Sequence, residues 1–192
     1  MREQAERILK AEADAISAIP LTDAFEKAVC LLVECRGKLI ATGIGKAGYI
    51  AQKAASTFCT TGTPASFLHP GDASHGDVGV IGPNDIVLAF SNSGKTREVL
   101  ETIGFCRNLG LETVFAITSH PDSPLGQVSD VVLEIGHIEE ACPLGLTPSA
   151  STTAMLALAD ALALVTMEAR GFTRKEFSLR HHGGYLGEKS RL

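Results

Sequence analysis

Residues 85–100 read DIVLAFSNSGKTREVL, an apolar run that enters Ser-Asn-Ser-Gly and leaves it with helical spacing. A strand that is nearly continuous in apolar residues is covered on both faces, which marks a parallel sheet carrying helices on each side. Four further runs have the same character: KLIATGI (38–44), ASFLH (65–69), TVFAITS (113–119) and VVLEIG (131–136). KAGYIAQKAASTFCTTG lies between the first two strands and TREVLETIGFCRNLG between the third and fourth; each ends on a glycine suited to a helix C-cap. Strand, helix and strand in that order make the βαβ unit. The expected fold is α/β: a three-layer α/β/α sandwich with a five-stranded parallel sheet, flavodoxin-like in type.

Two helices precede the sheet, at 2–17 and 22–35, divided by Pro20, and a long one follows it from about 152 to 170. The chain therefore reads as one domain, with N-terminal helices over 1–36, an α/β core over 37–170 and a C-terminal tail over 171–192. The long helix is apolar almost all round, so it needs cover on every side, from its own domain or in part from another subunit, and a homo-oligomer is expected. The 192 residues are 45% hydrophobic and 20% charged, with a formal charge of -5 and no Trp. That balance excludes an extended nucleic-acid footprint, which needs clustered Lys and Arg. The charged N-terminus is unlike a signal peptide and no uncharged apolar run reaches membrane-spanning length, so a cytoplasmic location is expected. Cys30, Cys35, Cys59, Cys106 and Cys142 are scattered and mostly sit in apolar segments, which reads as small buried hydrophobes.

Ligands of doubly wound sheets sit beyond the carboxyl ends of the strands. Those ends read TGIGKAG, LHPGDASHGD, SNSGKT and EEACPLGLTPSASTT. In SNSGKT, Ser91, Ser93 and Thr96 supply hydroxyls, Gly94 permits close approach, and the following helix offers unpaired N–H groups and a positive dipole end. This is a phosphate cradle, but not a Walker loop, because GxxxxGK[ST] is absent. Gly43, Gly45 and Gly48 fit GxGxxG formally, yet the second strand ends in Leu68-His69-Pro70 with no acid before Asp72 to hold a ribose. A nicotinamide cofactor therefore lacks its anchor. Lys46 in that tight loop suits a phosphate or a developing oxyanion.

These segments together resemble the sugar isomerase (SIS) domain of D-arabinose-5-phosphate isomerases. The resemblance runs from about residue 8 to 188 and is carried by GIGKAGYIAQKAASTFCTTGTPASFLHPGDASHGDVG, SNSGKTREVL, EEACPLGLTPSASTTAMLALADALAL and FSLRHHGGYLG. It implies interconversion of D-ribulose 5-phosphate and D-arabinose 5-phosphate, feeding synthesis of the eight-carbon acid sugar Kdo of lipopolysaccharide or capsule. It also implies a tetramer with sites shared between subunits. Catalytic roles carry over to Lys46, Glu98, Glu140 and His181. Substrate contacts carry over to Gly45, Gly62, Thr63, His69, His75, Ser91, Ser93 and Thr96, with His69 also able to take a non-catalytic, inhibitory zinc. No cofactor is required. The chain departs from this branch at Lys95, commonly Glu, and at Arg180-His181-His182, usually Ser-His-Pro. Many relatives append a pair of CBS domains, whereas this chain stops at Leu192; nucleotide-activated Kdo is then an expected direct inhibitor.

An aldose–ketose isomerase opens a sugar ring, moves a proton between C1 and C2 and stabilises an enediolate. Glu98 stands in the first turn of a helix, where the dipole favours its anion, and Glu140 lies past the last strand, where partial burial favours proton shuttling. Either carboxylate suits the role of base. Two rival readings share the fold: a phosphosugar-sensing module without catalysis, which needs neither the two carboxylates nor the terminal histidine, and an isomerase of another phosphosugar.

Overall fold

A computed structural model of the chain describes residues 1–190. Two helices, α1 (Arg2–Ser17) and α2 (Asp23–Glu34), lead into β1 (Leu39–Gly43). There follow α3 (Gly45–Thr60), β2 (Ala65–Leu68), the short α4 (Pro70–Ala73) with a 3-10 turn at Asp77–Val80, β3 (Ile86–Phe90), α5 (Arg97–Asn108) and β4 (Thr113–Thr118). The chain ends through α6 (Pro124–Val128), β5 (Val131–Glu134), α7 (Ala150–Ala169), α8 (Arg174–Ser178) and α9 (Gly184–Ser190). Every pairing in the sheet is parallel and the order is β2-β1-β3-β4-β5, the flavodoxin-like arrangement. The expected three-layer sandwich is the observed one.

Alternation along the strands explains why the runs are apolar throughout. Ile86, Leu88 and Phe90 of β3 pack with α2, α3 and α7, while Val87 and Ala89 between them face α5 and α6. Leu39 and Ala41 against Ile40 in β1, and Phe115 and Ile117 against Val114 and Ala116 in β4, repeat the division. Each strand thus supplies two cores at once.

α7 has the length and apolarity of a membrane-crossing helix, but here it is the central helix of one layer, packed on α1, α2 and α3. It buries Ala154, Met155, Leu158, Leu162 and Ala163, keeps Leu164 and Val165 exposed, and pairs Asp160 with Lys53 of α3. The cysteine expectation is corrected: only Cys106 is buried, Cys30 and Cys59 are exposed, and all five are free thiols. Cys30 lies on the outer face of an amphipathic helix and Cys59 in the last turn of α3, so an apolar neighbourhood in sequence did not mean an inward position.

At the amino-terminal edge of the sheet, buried Asp85 ties the entry of β3 to the entry of β1. It accepts hydrogen bonds from Lys38 Nζ at 2.6 Å, from the Lys38 amide at 2.9 Å and from the Gly82 amide at 2.7 Å. A side chain at Gly37 would strike this carboxylate and the Asn84 carbonyl. Burial alone would raise the Asp85 carboxyl, but the Lys38 ammonium and the two amides outweigh it and hold it below the usual carboxylate value. Its contribution is therefore present above the unfolded-state pKa of about 3.9 and is lost as pH falls through the lower folded-state value. Asp85→Asn should destabilise the fold by about 2–3 kcal/mol near neutral pH. Urea midpoints across pH should show the gap from wild type closing under acid; a gap that stays constant refutes the role of the charge.

Candidate functional site

All five strands point their carboxyl ends to one edge, and the loops there carry the polar motifs. Where β1 and β3 lie side by side, α3 leaves toward one face and α5 toward the other, opening a crevice between their N-termini. A cleft of about 240 Å3 fills it, lined by Lys46, Ser91, Asn92, Ser93, Thr96 and Ser151 among others. Gly45, at φ +62, starts α3, and a side chain at Gly48 would strike the Gly43 carbonyl, so both glycines are needed where helix and strand close up. Gly45 and His69 line a neighbouring hollow of about 150 Å3 on the β2 side of the same loop.

The SNSG loop is held by hydrogen bonds among its own hydroxyls and amides. Ser91 is buried and its hydroxyl is engaged with Thr96 Oγ1 at 2.8 Å, while also accepting from the Gly94 amide at 3.1 Å. The pair braces the loop and uses one of its two hydroxyl protons, and both residues line the cleft. Ser93 is exposed; its oxygen accepts from the Lys95 amide at 3.3 Å, leaving its proton to donate outward. Gly94 has φ +61, and a side chain there would strike Ser123 and Thr118.

Glu140 sits at the N-terminus of α7. Its carboxylate accepts from the Ser149 amide at 2.8 Å, from the Ser149 hydroxyl at 3.4 Å, from the Ser151 amide at 3.5 Å and from the Ser151 hydroxyl. It caps the helix from outside and reaches the cleft edge through Ser151. The backbone carbonyl of Glu98 in α5 accepts from Thr102 Oγ1 at 2.8 Å. Glu98 is half-buried in the first turn, as its position in the motif implies.

Three expected site residues lie elsewhere in the chain. Gly62 and Thr63 precede β2, so they occupy the opposite edge of the sheet; Gly62 packs on Phe172 and its carbonyl accepts from Arg170 at 3.2 Å. Thr63 is buried there. His181 follows α8 at that same far edge, stacked on Phe177 with ring centroids 3.8 Å apart. Its Nδ1 meets the Phe177 carbonyl at 3.2 Å, so this nitrogen carries the hydrogen and Nε2 is the basic one. Within one chain these three are not brought to the cleft: Gly62 and Thr63 stand at the start of β2 and His181 beyond the C-terminal end of α7, whereas the cleft lies at the carboxyl ends of the strands. The expected tail over 171–192 is described to Ser190; Arg191 and Leu192 lie outside the described residues.

His75 is exposed beyond α4 at the cleft edge of the sheet. His69 Nδ1 accepts from the Gly71 amide at 3.1 Å and stands 3.8 Å from Asp72. Among the described residues no group of three or more His, Cys, Asp or Glu is placed to hold a metal.

The SIS domain family matches residues 31–165. The chain belongs to the SIS domain family. It is 44% identical over 185 residues to the arabinose 5-phosphate isomerase KdsD of Yersinia pestis, covering 95% of this chain and 56% of that protein. It is 47% identical over 155 residues to KdsD of Escherichia coli K12, covering 81% and 47%. The chain spans about half the length of the curated relatives it matches. Among solved structures it is similar, with TM-score 0.93 and 51% identity, to a Bacteroides fragilis protein thought to be a phosphosugar isomerase involved in capsule formation, over 96% of this chain and 99% of that one. It is also similar, with TM-score 0.89 and 36% identity, to E. coli CFT073 c3406 in complex with A5P, over 93% and 96%.

Sequence reasoning missed the β4–α6 loop, TSHPDSPL, whose Thr118, Ser119 and His120 all bond the backbone of Asn92. It also missed the thiol of Cys142, whose sulfur accepts from the Thr147 and Leu146 amides at 3.2 Å each. Those two amides bring the thiol down to about 7, whereas burial pushes Cys106 up to about 11. Raising pH through 7 should therefore convert Cys142 to thiolate while Cys106 stays protonated. Iodoacetamide labelling followed by mass spectrometry should show Cys142 reacting half-maximally near pH 7 and Cys106 unlabelled; a Cys142 profile centred near an ordinary thiol value refutes the assignment.

Proposed function

We propose that the chain is an aldose–ketose isomerase that interconverts D-ribulose 5-phosphate and D-arabinose 5-phosphate, supplying Kdo synthesis for lipopolysaccharide or capsule. The observation that carries this reading is the cleft at the β1/β3 crevice, where Lys46, the exposed hydroxyl of Ser93 and the N-terminus of α5 line one small polar space. Identities of 44% and 47% to KdsD proteins, and similarity to a structure holding A5P, support the choice of sugar.

In this reading the phosphate lies over Ser93 and the unpaired amides of α5, where hydrogen bonding and the helix dipole favour an anion. Lys46 then stands beside the sugar carbons and offsets the negative charge of the enediolate. Glu98 removes the proton from one carbon and returns it to its neighbour. Glu140, held by the first turn of α7, passes the hydroxyl proton between O2 and O1, so no electron acceptor is needed and the atoms balance. His181, with Nε2 basic, opens the ring from a second copy of the chain, and Gly62 and Thr63 of that copy share its edge. The protein then works as a homo-oligomer, a tetramer, in the cytoplasm, without a metal or redox cofactor in the reaction. A sensor module would have no use for two carboxylates beside one phosphate cradle.

Incubation with ribulose 5-phosphate, with no metal or cofactor added, should yield arabinose 5-phosphate by NMR. Glu140→Gln should lower turnover by about 100-fold or more. Because Glu140 also caps α7, the melting temperature of this variant belongs beside its rate. Binding without interconversion would favour the sensor reading, and a different aldose product would favour another isomerase.

A further inference from the structure

The contacts that shape the SNSG loop come from the neighbouring end of β4 and the loop after it. The Ser91 amide donates to the Ile117 carbonyl at 3.2 Å and the Leu125 amide to the Gly94 carbonyl at 3.0 Å. Between them, three donors converge on the carbonyl of Asn92: the Ser119 amide at 3.1 Å, the Thr118 hydroxyl at 3.0 Å and His120 Nδ1 at 2.9 Å. A carbonyl only accepts, so His120 Nδ1 carries its hydrogen whether the ring is neutral or charged.

The side chain of Asn92 is held by the same segment. Ser119 Oγ lies 2.6 Å from Asn92 Oδ1, a length typical of O–H···O and short for an amide N–H donor. The carboxamide oxygen therefore faces Ser119, and its NH2 is the end left to donate. Asn92 lines the cleft together with Lys46 and Ser93, while Ser119 and His120 do not.

We infer that Ser119 is a positioning residue for phosphosugar affinity: its hydroxyl turns the carboxamide of Asn92 so that the NH2 donates to the anionic end of the ligand. His120 and Thr118 hold the Asn92 backbone in the register this requires. The inference rests on the phosphosugar reading of the cleft. Its effect falls on binding rather than on the chemical step, since the group it orients meets the anionic end of the ligand and not the reacting carbons.

A double-mutant cycle tests it with two probes: initial rates on arabinose 5-phosphate, and calorimetric binding of inorganic phosphate. Ser119→Ala should raise KM about fivefold, the worth of one neutral hydrogen bond, with kcat within about twofold and an unchanged melting temperature. Ser119→Thr, which keeps the hydroxyl, should restore wild-type KM. In an Asn92→Ala background Ser119→Ala should add nothing, because the group it orients is gone. An unchanged KM in Ser119→Ala, or the same rise in the Asn92→Ala background, overturns the inference. A wild-type chain without isomerase activity refutes the proposed reaction alone, since phosphate binding still reads the Ser119 effect; absence of phosphate binding as well overturns both.

Discussion

The parallel direction of the sheet is the constraint from which the site follows. Because β1 and β3 run the same way and their helices depart to opposite faces, the unpaired amides of two helix N-termini meet over one crevice. Neither N-terminus needs a basic patch to attract an anion, which is how a chain of net charge -5 can accommodate a phosphate. The single ammonium in that crevice, Lys46, is supplied by the first turn of α3 and stands where the dipole would otherwise disfavour it. A negative ligand resolves that conflict.

A loop of Ser, Asn, Ser and Gly has little apolar surface with which to hold itself, yet Ser91 and Gly94 are buried. Its shape comes from hydrogen bonds instead. Ser91 and Thr96 close the loop internally, and the end of β4 grips Asn92 and Gly94 from outside. With these partners in place no buried side-chain oxygen of the loop is left without a hydrogen bond. The same logic governs Glu140, whose acceptors are filled by the N-terminus of α7.

The fold was legible because buried parallel strands leave a plain mark: five apolar runs, the first and third followed by helical spacing, locate every strand to within a residue or two. The place of the cleft was legible too, since SNSG follows the apolar run of β3 directly and lines the crevice there. The bond between Ser91 and Thr96 was not, because they pair across a turn of five residues and only coordinates reveal that they meet. The grip of Ser119 and His120 on Asn92 spans 27 and 28 residues, a separation at which local pattern carries no signal. The cysteines misled for a related reason: an apolar sequence neighbourhood says nothing about which face of a helix a residue occupies.

α7 joins the two halves of the proposed site and also keeps them apart. It starts at the cleft, where Ser149 and Ser151 bond Glu140, and ends at the far edge, where Arg170 reaches the carbonyls of Leu32 and Gly62. Both ends are pinned, and a helix of 20 residues is a rigid strut of about 30 Å. The tail that carries His181 begins just beyond the second pin, so a chain cannot fold its own histidine onto its own glutamates without releasing one of them. Gly62, Thr63 and His181 share that far edge, while Lys46, Ser93, Glu98 and Glu140 share the near one. A reaction that used both sets would require the far edge of one copy to face the near edge of another, and α7 leaves Leu164 and Val165 exposed on its outer face.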